Sequence, residues 1–437
     1  MSSPLRGNGR FRRFWAGQAV SQFGDRVSEL ALPLIAVGPL GASTAQVAGL
    51  TAALWAPNLL AVLLGAWVDG RTDQRRLLVL ADLARAAALA TLPAAALFDA
   101  VTLGQLYAVA VVTGTAGVLF GNAYAPFFAH LVPRSAYLAA NSRLSSTRSA
   151  SQLAGPALGG VLVQVLTAPV AVLADALSFL ASALLVGGVR TDPPPRPAGP
   201  DEAVRTRARQ GLAFVLRHPY LRASLGCCTT VNFFTFVGYS LTVLFAGREL
   251  GLSAGRIGLA LAVGATGSLL GAVTAPALSR RIGVGRTIVL GAVLFPAPTA
   301  LLVLADGPSW ARTGVLAGAE FLSGLGVMLL DVPLNALQTA VVPDHLRSRV
   351  SGAFATVNYG VRPLGALLGG LLGTALGLRP ALLTAAVGGT LAALWLLPSP
   401  IPRVRTLDAL PPVDPSPSPS APAPRTEIDS RPTAVAP

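Results

Sequence analysis

Four polar side chains recur through an otherwise apolar stretch near the start of the chain: Gln18, Gln22, Asp25 and Glu29. Their spacing of i, i+4, i+7 and i+11 puts them on one face of a helix. Counted from Phe14 at ~1.5 Å per residue, Asp25 lies ~16 Å along the axis, close to the middle of a ~30 Å hydrocarbon layer. A charge at that depth costs at least ~2.5 kcal/mol, so Asp25 is expected to face a bundle interior or a wet cavity. Two chemistries suit a carboxyl there. One is taking up and releasing protons, because desolvation opposes the charged form. The other is binding a cationic substrate. Arg26 stands three residues before Glu29, so a static ion pair is the plainer role for Glu29.

Adding 210 to the stripe lands on Cys228, Asn232, Thr235 and Tyr239. The last three form a matching face, and both faces are expected to line one central cavity. Phe233, Phe234 and Phe236 beside them could give a ligand apolar contact or simply pack. Glu320 and Arg362 fall in the middle of later apolar runs; they could pair with each other, or serve a gate or a substrate. Asp82 and Arg85, at i and i+3, read as a structural pair. Asp175 falls at a shallow position and receives no role. His130, His218 and His345 have no carboxylate or Cys cluster around them, and Cys227 and Cys228 are adjacent in an apolar run. Neither group suggests a metal site or a catalytic centre. All 33 basic residues are Arg, so a phosphate-binding P-loop and Schiff-base chemistry, both of which need Lys, are excluded. No enzyme activity, nucleotide, metal or organic cofactor is expected.

The elements that must position these residues follow from composition. The chain of 437 residues is 53% hydrophobic and 12% charged, against roughly 25% charged in soluble chains. Twelve apolar runs approach the ~20 residues needed to span a bilayer: 14–36, 45–68, 77–98, 104–123, 143–166, 169–189, 222–246, 256–278, 287–305, 312–332, 350–374 and 379–398. The expected organisation is an arm over 1–13, a six-helix bundle over 14–189, a linker over 190–221 rich in Pro and Arg, a second bundle over 222–398, and a disordered tail over 399–437. With the N-terminus inside, the inner segments hold Arg6, Arg10, Arg12, Arg13, Arg71, Arg75, Arg76, Arg134, the cluster from Arg190 to Arg217, Arg280, Arg281, Arg286, Arg347, Arg349, Arg403 and Arg405. The outer loops hold only Arg248, Arg256, Arg312 and Arg379. That bias predicts both termini in the cytoplasm of a plasma-membrane protein. It also accounts for the net charge of +14 without nucleic acid, since the charge is scattered over short loops. The Arg, Ala, Gly and Pro bias fits a GC-rich bacterial genome.

The chain repeats itself. LVP at 131–133 recurs as VVP at 341–343, and GPALGG at 155–160 recurs as GALLGG at 365–370. The joint at 64–76 resembles 270–282. Two parallel six-helix repeats with a midplane site between them are an architecture of secondary transporters.

On these residues the chain resembles the major facilitator superfamily over ~11–398. The superfamily's signature between its second and third helices is matched by Gly65, Asp69, Arg71, Arg75 and Arg76. The resemblance implies that the Gly permits close packing and that the charged residues form a latch governing opening. Here Gly70 follows Asp69, where the family has Arg, so which Arg completes the latch stays open. Gly155, Pro156, Gly159 and Gly160, echoed by Gly365, Gly369 and Gly370, resemble the superfamily's antiporter motif, in which small residues allow close approach and Pro bends the helix. The stretches FRRFWAGQAVSQFGDRVSELALPL and LLVLADLARA are similar to the branch of macrolide and enterobactin exporters. The resemblance implies proton-coupled export of a small lipophilic molecule by alternating access. Asp25 and then Glu29 would carry the proton, and the cavity would be lined by Gln18, Gln22, Arg26, Asn232, Thr235, Tyr239, Glu320 and Arg362. The expected partners are the bilayer, a small-molecule substrate and protons, with no nucleic acid and a monomeric chain. An uptake carrier, and more remotely a sensor, scramblase or membrane enzyme, are the alternative readings.

Overall fold

The computed structural model describes residues 8–69, 71, 73–133, 136–189, 204–343 and 346–407. Arg134, His345, the Pro-rich part of the linker and the tail beyond 407 lie outside the described residues. In chain order the helices are α1 (Gly9–Val37), α2 (Thr44–Trp55), α3 (Ala61–Asp69), α4 (Gln74–Ala96), α5 (Leu103–Leu131), α6 (Tyr137–Leu166), α7 (Ala168–Gly187) and α8 (Val204–Arg217). They continue as α9 (Pro219–Arg248), α10 (Ala254–Ile282), α11 (Val284–Leu294), α12 (Ser309–Val341), α13 (Arg347–Gly360), α14 (Arg362–Ala375) and α15 (Leu378–Leu391). Local sequence sets several starts. The Asn8, Asp73 and Thr102 side chains accept from the amides of Phe11, Arg76 and Gln105, and Ser43 with Gln46 forms a reciprocal capping box, satisfying donors that the first helical turn leaves free.

Among the described residues, nine helical segments are long and apolar enough to cross a membrane. The other three runs expected from sequence are helical but fail for physical reasons. α1 carries Asp25, Arg26 and Glu29 in its middle. α2 and α3 are separated by a 3-10 turn over Ala56–Leu60 with Pro57 inside it, and α13 and α14 are separated at Val361, just before Pro363. A proline without an amide proton interrupts the ladder at both places.

The expected boundaries need three corrections. The linker ends before 221, because α9 already starts at Pro219, and it contains α8. The tail does not begin at 399. Ile401 is fully buried, and the amides of Val284 and Gly285 donate to Arg405 and Val404 carbonyls at 3.1 and 2.9 Å, pinning this segment to the start of α11. The joint at 270–282 does not copy the one at 64–76. α3 ends at Asp69, whereas α10 runs unbroken to Ile282 and turns at Gly283 with φ +97°.

Three hydrophobic clusters show how the halves meet. One joins both halves at the end remote from the termini, with Leu30, Ile35 and Leu106 packed in the same cluster as Leu241, Phe245 and Ile257. The other two lie at the terminus-bearing end and are private: Phe11, Phe14 and Leu78 belong to the first half, and Leu221, Ile288 and Leu337 to the second. Among the described residues, the halves therefore share one core at the remote end and keep separate cores at the other.

Two seams hold the remote end, and glycine sets both. A Cβ on Gly160 of α6 would meet the Ala254 carbonyl oxygen at 2.8 Å and the Gly258 Cα at 3.0 Å on α10. Gly370 of α14 lies against Ala45 and Ala48 of α2. Within each half, Gly155 and Gly159 abut α1 at Arg26 and Val27, while Gly365 and Gly369 abut α9 at Phe233 and Val237. The Gln164 side chain caps α10 at the Gly255 amide (3.0 Å), and an Arg248 guanidinium N–H donates to the Ala42 carbonyl across the halves.

Candidate functional site

A cavity of about 580 Å3 lies between the halves. Most of its wall is apolar, with Leu32, Leu50, Leu54, Leu89 and Phe179 contributing. Its ionisable lining is Asp25, Glu29, Asp175 and Arg85, with the Tyr239 and Tyr359 phenols facing from the second half.

The acidic wall is built by close packing of α1 on α7. Gly24 has no room for a Cβ, which would meet Asp175 and Ser178, and Gly17 lies against Ser182. That approach brings four carboxyls and two guanidiniums into one region. Glu29 is paired with Arg26 at 2.6 Å, as the plainer reading expects. Its side chain is 39% accessible, and the access is to the cavity. Asp82 accepts from the Ser182 hydroxyl at 2.7 Å and lies 3.8 Å from Arg85. Arg85 also sits over the Phe179 and Phe120 rings, 4.9 and 5.3 Å from their centroids. Asp175 accepts from Ser28 and from Ser178 and is 1% exposed. Asp25 has no hydrogen bond or ion pair among the described residues, though it acts electrostatically with Arg85, Arg26 and Asp175. It is the one unpartnered carboxyl of the acidic wall.

Of the residues that sequence placed in the cavity, Asp25, Glu29 and Tyr239 line it. Gln18 and Gln22 do not; the Gln18 Nε2 and Gln22 Oε1 atoms are buried without a protein partner, as is Thr235 Oγ1. Asn232 accepts from Arg362 and donates to the Cys228 carbonyl at 2.9 Å. The Glu320–Arg362 pair does not form. Arg362 is enclosed by aromatic rings, and Glu320 has no ion pair among the described residues. Asp175, read from sequence as shallow, belongs to the acidic wall. Its signal was Ser178 and Ser182 at i+3 and i+7, a polar stripe facing that of α1.

At the expected latch, Gly65 packs on Asn122. Arg71 stacks on Trp67 at 4.3 Å, and Arg75 donates to the Gly187 and Val189 carbonyls, both at 3.3 Å. These contacts stay inside the first half. Arg76 is exposed. The Asp69 side chain lies outside what is described, and so does any bond it makes to these arginines. His130 Nδ1 lies 2.7 Å from the Pro126 carbonyl and His218 stacks between Phe214 and Tyr220. Among the described residues no cluster of His, Cys, Asp or Glu could hold a metal ion.

The comparisons with known proteins accord with this geometry. The family model described as a transmembrane secretion effector of the MFS type matches residues 1–430. The chain is 27% identical over 366 residues to the multidrug efflux pump Tap of Mycolicibacterium fortuitum, covering 80% of this chain and 86% of that one. It is 28% identical over 378 residues to the MFS-type transporter YfiS of Bacillus subtilis, covering 84% and 88%. Among solved structures, a bacterial homologue of the iron transporter ferroportin in an inward-facing state superposes with TM-score 0.72 at 17% identity, covering 91% of this chain and 99% of that one. A D-xylose–proton symporter gives 0.65 at 14% identity, covering 89% and 97%. At these identities the structural likeness shows a shared fold.

Proposed function

The chain belongs to the transmembrane secretion effector family of major facilitator membrane transporters, and from that premise we propose that it exports a small lipophilic molecule in exchange for protons, with Asp25 carrying the proton. Multidrug efflux relatives at 25 and 27% identity support export. The observation that carries proton coupling is the contrast within the acidic wall. Glu29 has Arg26, Asp82 has Arg85 and Ser182, and Asp175 has two serine hydroxyls, while Asp25 has none of these. An unpartnered carboxylate in a low-dielectric cavity is costly, and a proton removes that cost. A proton on Asp25 also relieves its repulsion with Asp175.

The twelve apolar runs would be twelve crossings, with both termini cytoplasmic by the Arg bias. The separated end then opens to the cytoplasm, and the form described is inward-open. Transport follows when the halves rock about the midplane cavity. The Gly160–Gly258 and Gly370–Ala45 seams would part as the terminus-bearing end closes.

The test is accumulation of a lipophilic dye panel in bacteria lacking their main efflux pumps, with vector, wild type and Asp25→Asn at matched membrane expression, each with and without a protonophore. Lower accumulation with the wild type, lost on adding protonophore and in Asp25→Asn, is the expected result. Export that survives Asp25→Asn would move the proton to Glu29 or Asp175. Wild type equal to vector for every dye would remove broad export and favour a narrow substrate or uptake.

A further inference from the structure

Arg362 opens α14 at the break after Val361 and has no carboxylate partner among the described residues. Three aromatic rings surround it instead. The guanidinium carbon lies 4.4 Å from the Trp55 ring centre, 4.3 Å from that of Tyr359 and 4.9 Å from that of Phe236. Its Nε donates to Asn232 Oδ1 at 3.2 Å. The rings also touch each other, with Trp55 edge-on to Phe236 at 5.1 Å and 6.3 Å from Tyr359. Rings at such distances attract an organic cation through their negative faces. The two halves build the box together, with Trp55 at the end of α2, Phe236 on α9 and Tyr359 on α13. Trp55 and Tyr359 also line the cavity, so a molecule in the cavity reaches the box directly. Glu29 is balanced by Arg26, and Asp25 with Asp175 still outnumber Arg85 in the cavity's lining, which favours a cation and opposes an anion.

We infer that Trp55, Phe236 and Tyr359 form a head-group site for an amphiphile with a planar cationic head, a guanidinium or amidinium, and that Arg362 is the tethered competitor for that site. The inference names the substrate class of the export reading and rests on it. The exchange replaces one planar cation by another, so the contacts with the rings are kept. The released guanidinium stays in the half that holds the unpaired Glu320 carboxyl, and both groups already act electrostatically on the Tyr239 phenol. A built-in occupant lowers apparent affinity by the fraction of time it fills the box. Removing it must therefore tighten binding, an effect that no purely structural role for Arg362 would produce.

The experiment is equilibrium dialysis of octylguanidinium, and of its uncharged planar counterpart octylurea, against the full chain in lipid nanodiscs, with empty nanodiscs subtracted. Arg362→Gln and Arg362→Met are expected to bind octylguanidinium roughly tenfold more tightly than the wild type, the scale of one desolvated cation–π contact. Octylurea should gain nothing, and adding Trp55→Leu should remove the gain. Affinity that is unchanged or weaker in both Arg362 variants, or an equal gain for octylurea, overturns the inference. If neither Arg362 variant elutes as a folded species, Asn232→Leu in the wild-type background, which removes the bond that holds Arg362 in the box, decides: binding of octylguanidinium roughly threefold tighter or more, the scale of one lost hydrogen bond on the competitor, supports the inference, and unchanged or weaker binding overturns it. Dye export without octylguanidinium binding would sink the box and leave the export reading standing. Binding with the predicted variant pattern but no export would keep the box and sink that reading.

Discussion

At the scale of single residues, the acidic wall depends on a glycine as much as on its carboxylates. A methyl at Gly24 would lie 2.8 Å from the Ser178 Cβ and collide with Asp175; neither can retreat, because both sit on the α7 face packed against α1. Gly24→Ala is expected to cost about 1–3 kcal/mol, as overpacking does. It should lower the thermal unfolding midpoint in detergent, whereas Gly318→Ala, with nothing within 4 Å of its Cβ, should not. Equal midpoints would mean that α1 and α7 are less closely packed than described. The outer arginines show a second residue-scale economy. Arg312 donates to the Leu250 and Gly307 carbonyls, and Arg379 to those of Val303 and Ala305. With Arg248 on Ala42, three of the four exceptions to the Arg bias satisfy carbonyls at helix ends and loops. Asp25 and Glu29 were legible in the sequence because a carboxyl inside an apolar run has few explanations. Asp175 was not, because its depth depends on where α7 starts.

At the scale of elements, the 210-residue repeat reaches the backbone. Thr167, between α6 and α7, has φ +74° and ψ 155°, while Gly377, between α14 and α15, has φ +94° and ψ 165°. The same tight turn serves both halves, but only the second has the residue suited to it. Threonine in that region costs about 1–3 kcal/mol, of which the greater unfolded-state freedom of glycine takes back about 0.5–1 kcal/mol. Thr167→Gly should therefore stabilise the chain by about 1 kcal/mol, and Gly377→Thr should destabilise it by a similar amount. Thermal unfolding of both variants checks the pair; midpoints moving in the same direction would refute it. The helix breaks were only half legible. Pro57 and Pro363 were visible, but many other prolines, such as Pro126 and Pro156, lie inside continuous helices. Whether a proline bends or breaks a helix is decided by what packs around the freed carbonyl.

At the scale of the whole molecule, a shared core at one end and two private cores at the other make the cavity accessible from the terminus-bearing side. A cysteine at Gly121, which lines the cavity and has nothing within 4 Å of its Cβ, should react with a membrane-impermeant maleimide from that side. The background requires Cys227→Ala and Cys228→Ala, since both native cysteines are free. Labelling should be fast in inside-out vesicles and slow in intact cells. The reverse order would place the termini outside and overturn the proposed orientation, while equal rates would mean that both forms are well populated. The α6–α10 seam joins two unbroken helices, whereas α2 and α14 both adjoin breaks near the Arg362 box. The two seams thus differ in construction despite the repeat.

The sequence by itself determined the class of protein, the helical runs and the internal duplication. These rest on period, length and composition, which act through local hydrophobicity and are readable without knowing any neighbour. It also singled out Asp25, because burying a charge is expensive anywhere in a bilayer. Only the tertiary structure decided which charges share a wall, that Glu320 and Arg362 stay apart, that Gln18 and Gln22 fall outside the cavity, and that Trp55 of one half encloses a cation of the other. Each of these depends on the rotation and depth of one helix against another, and close packing at glycines sets both.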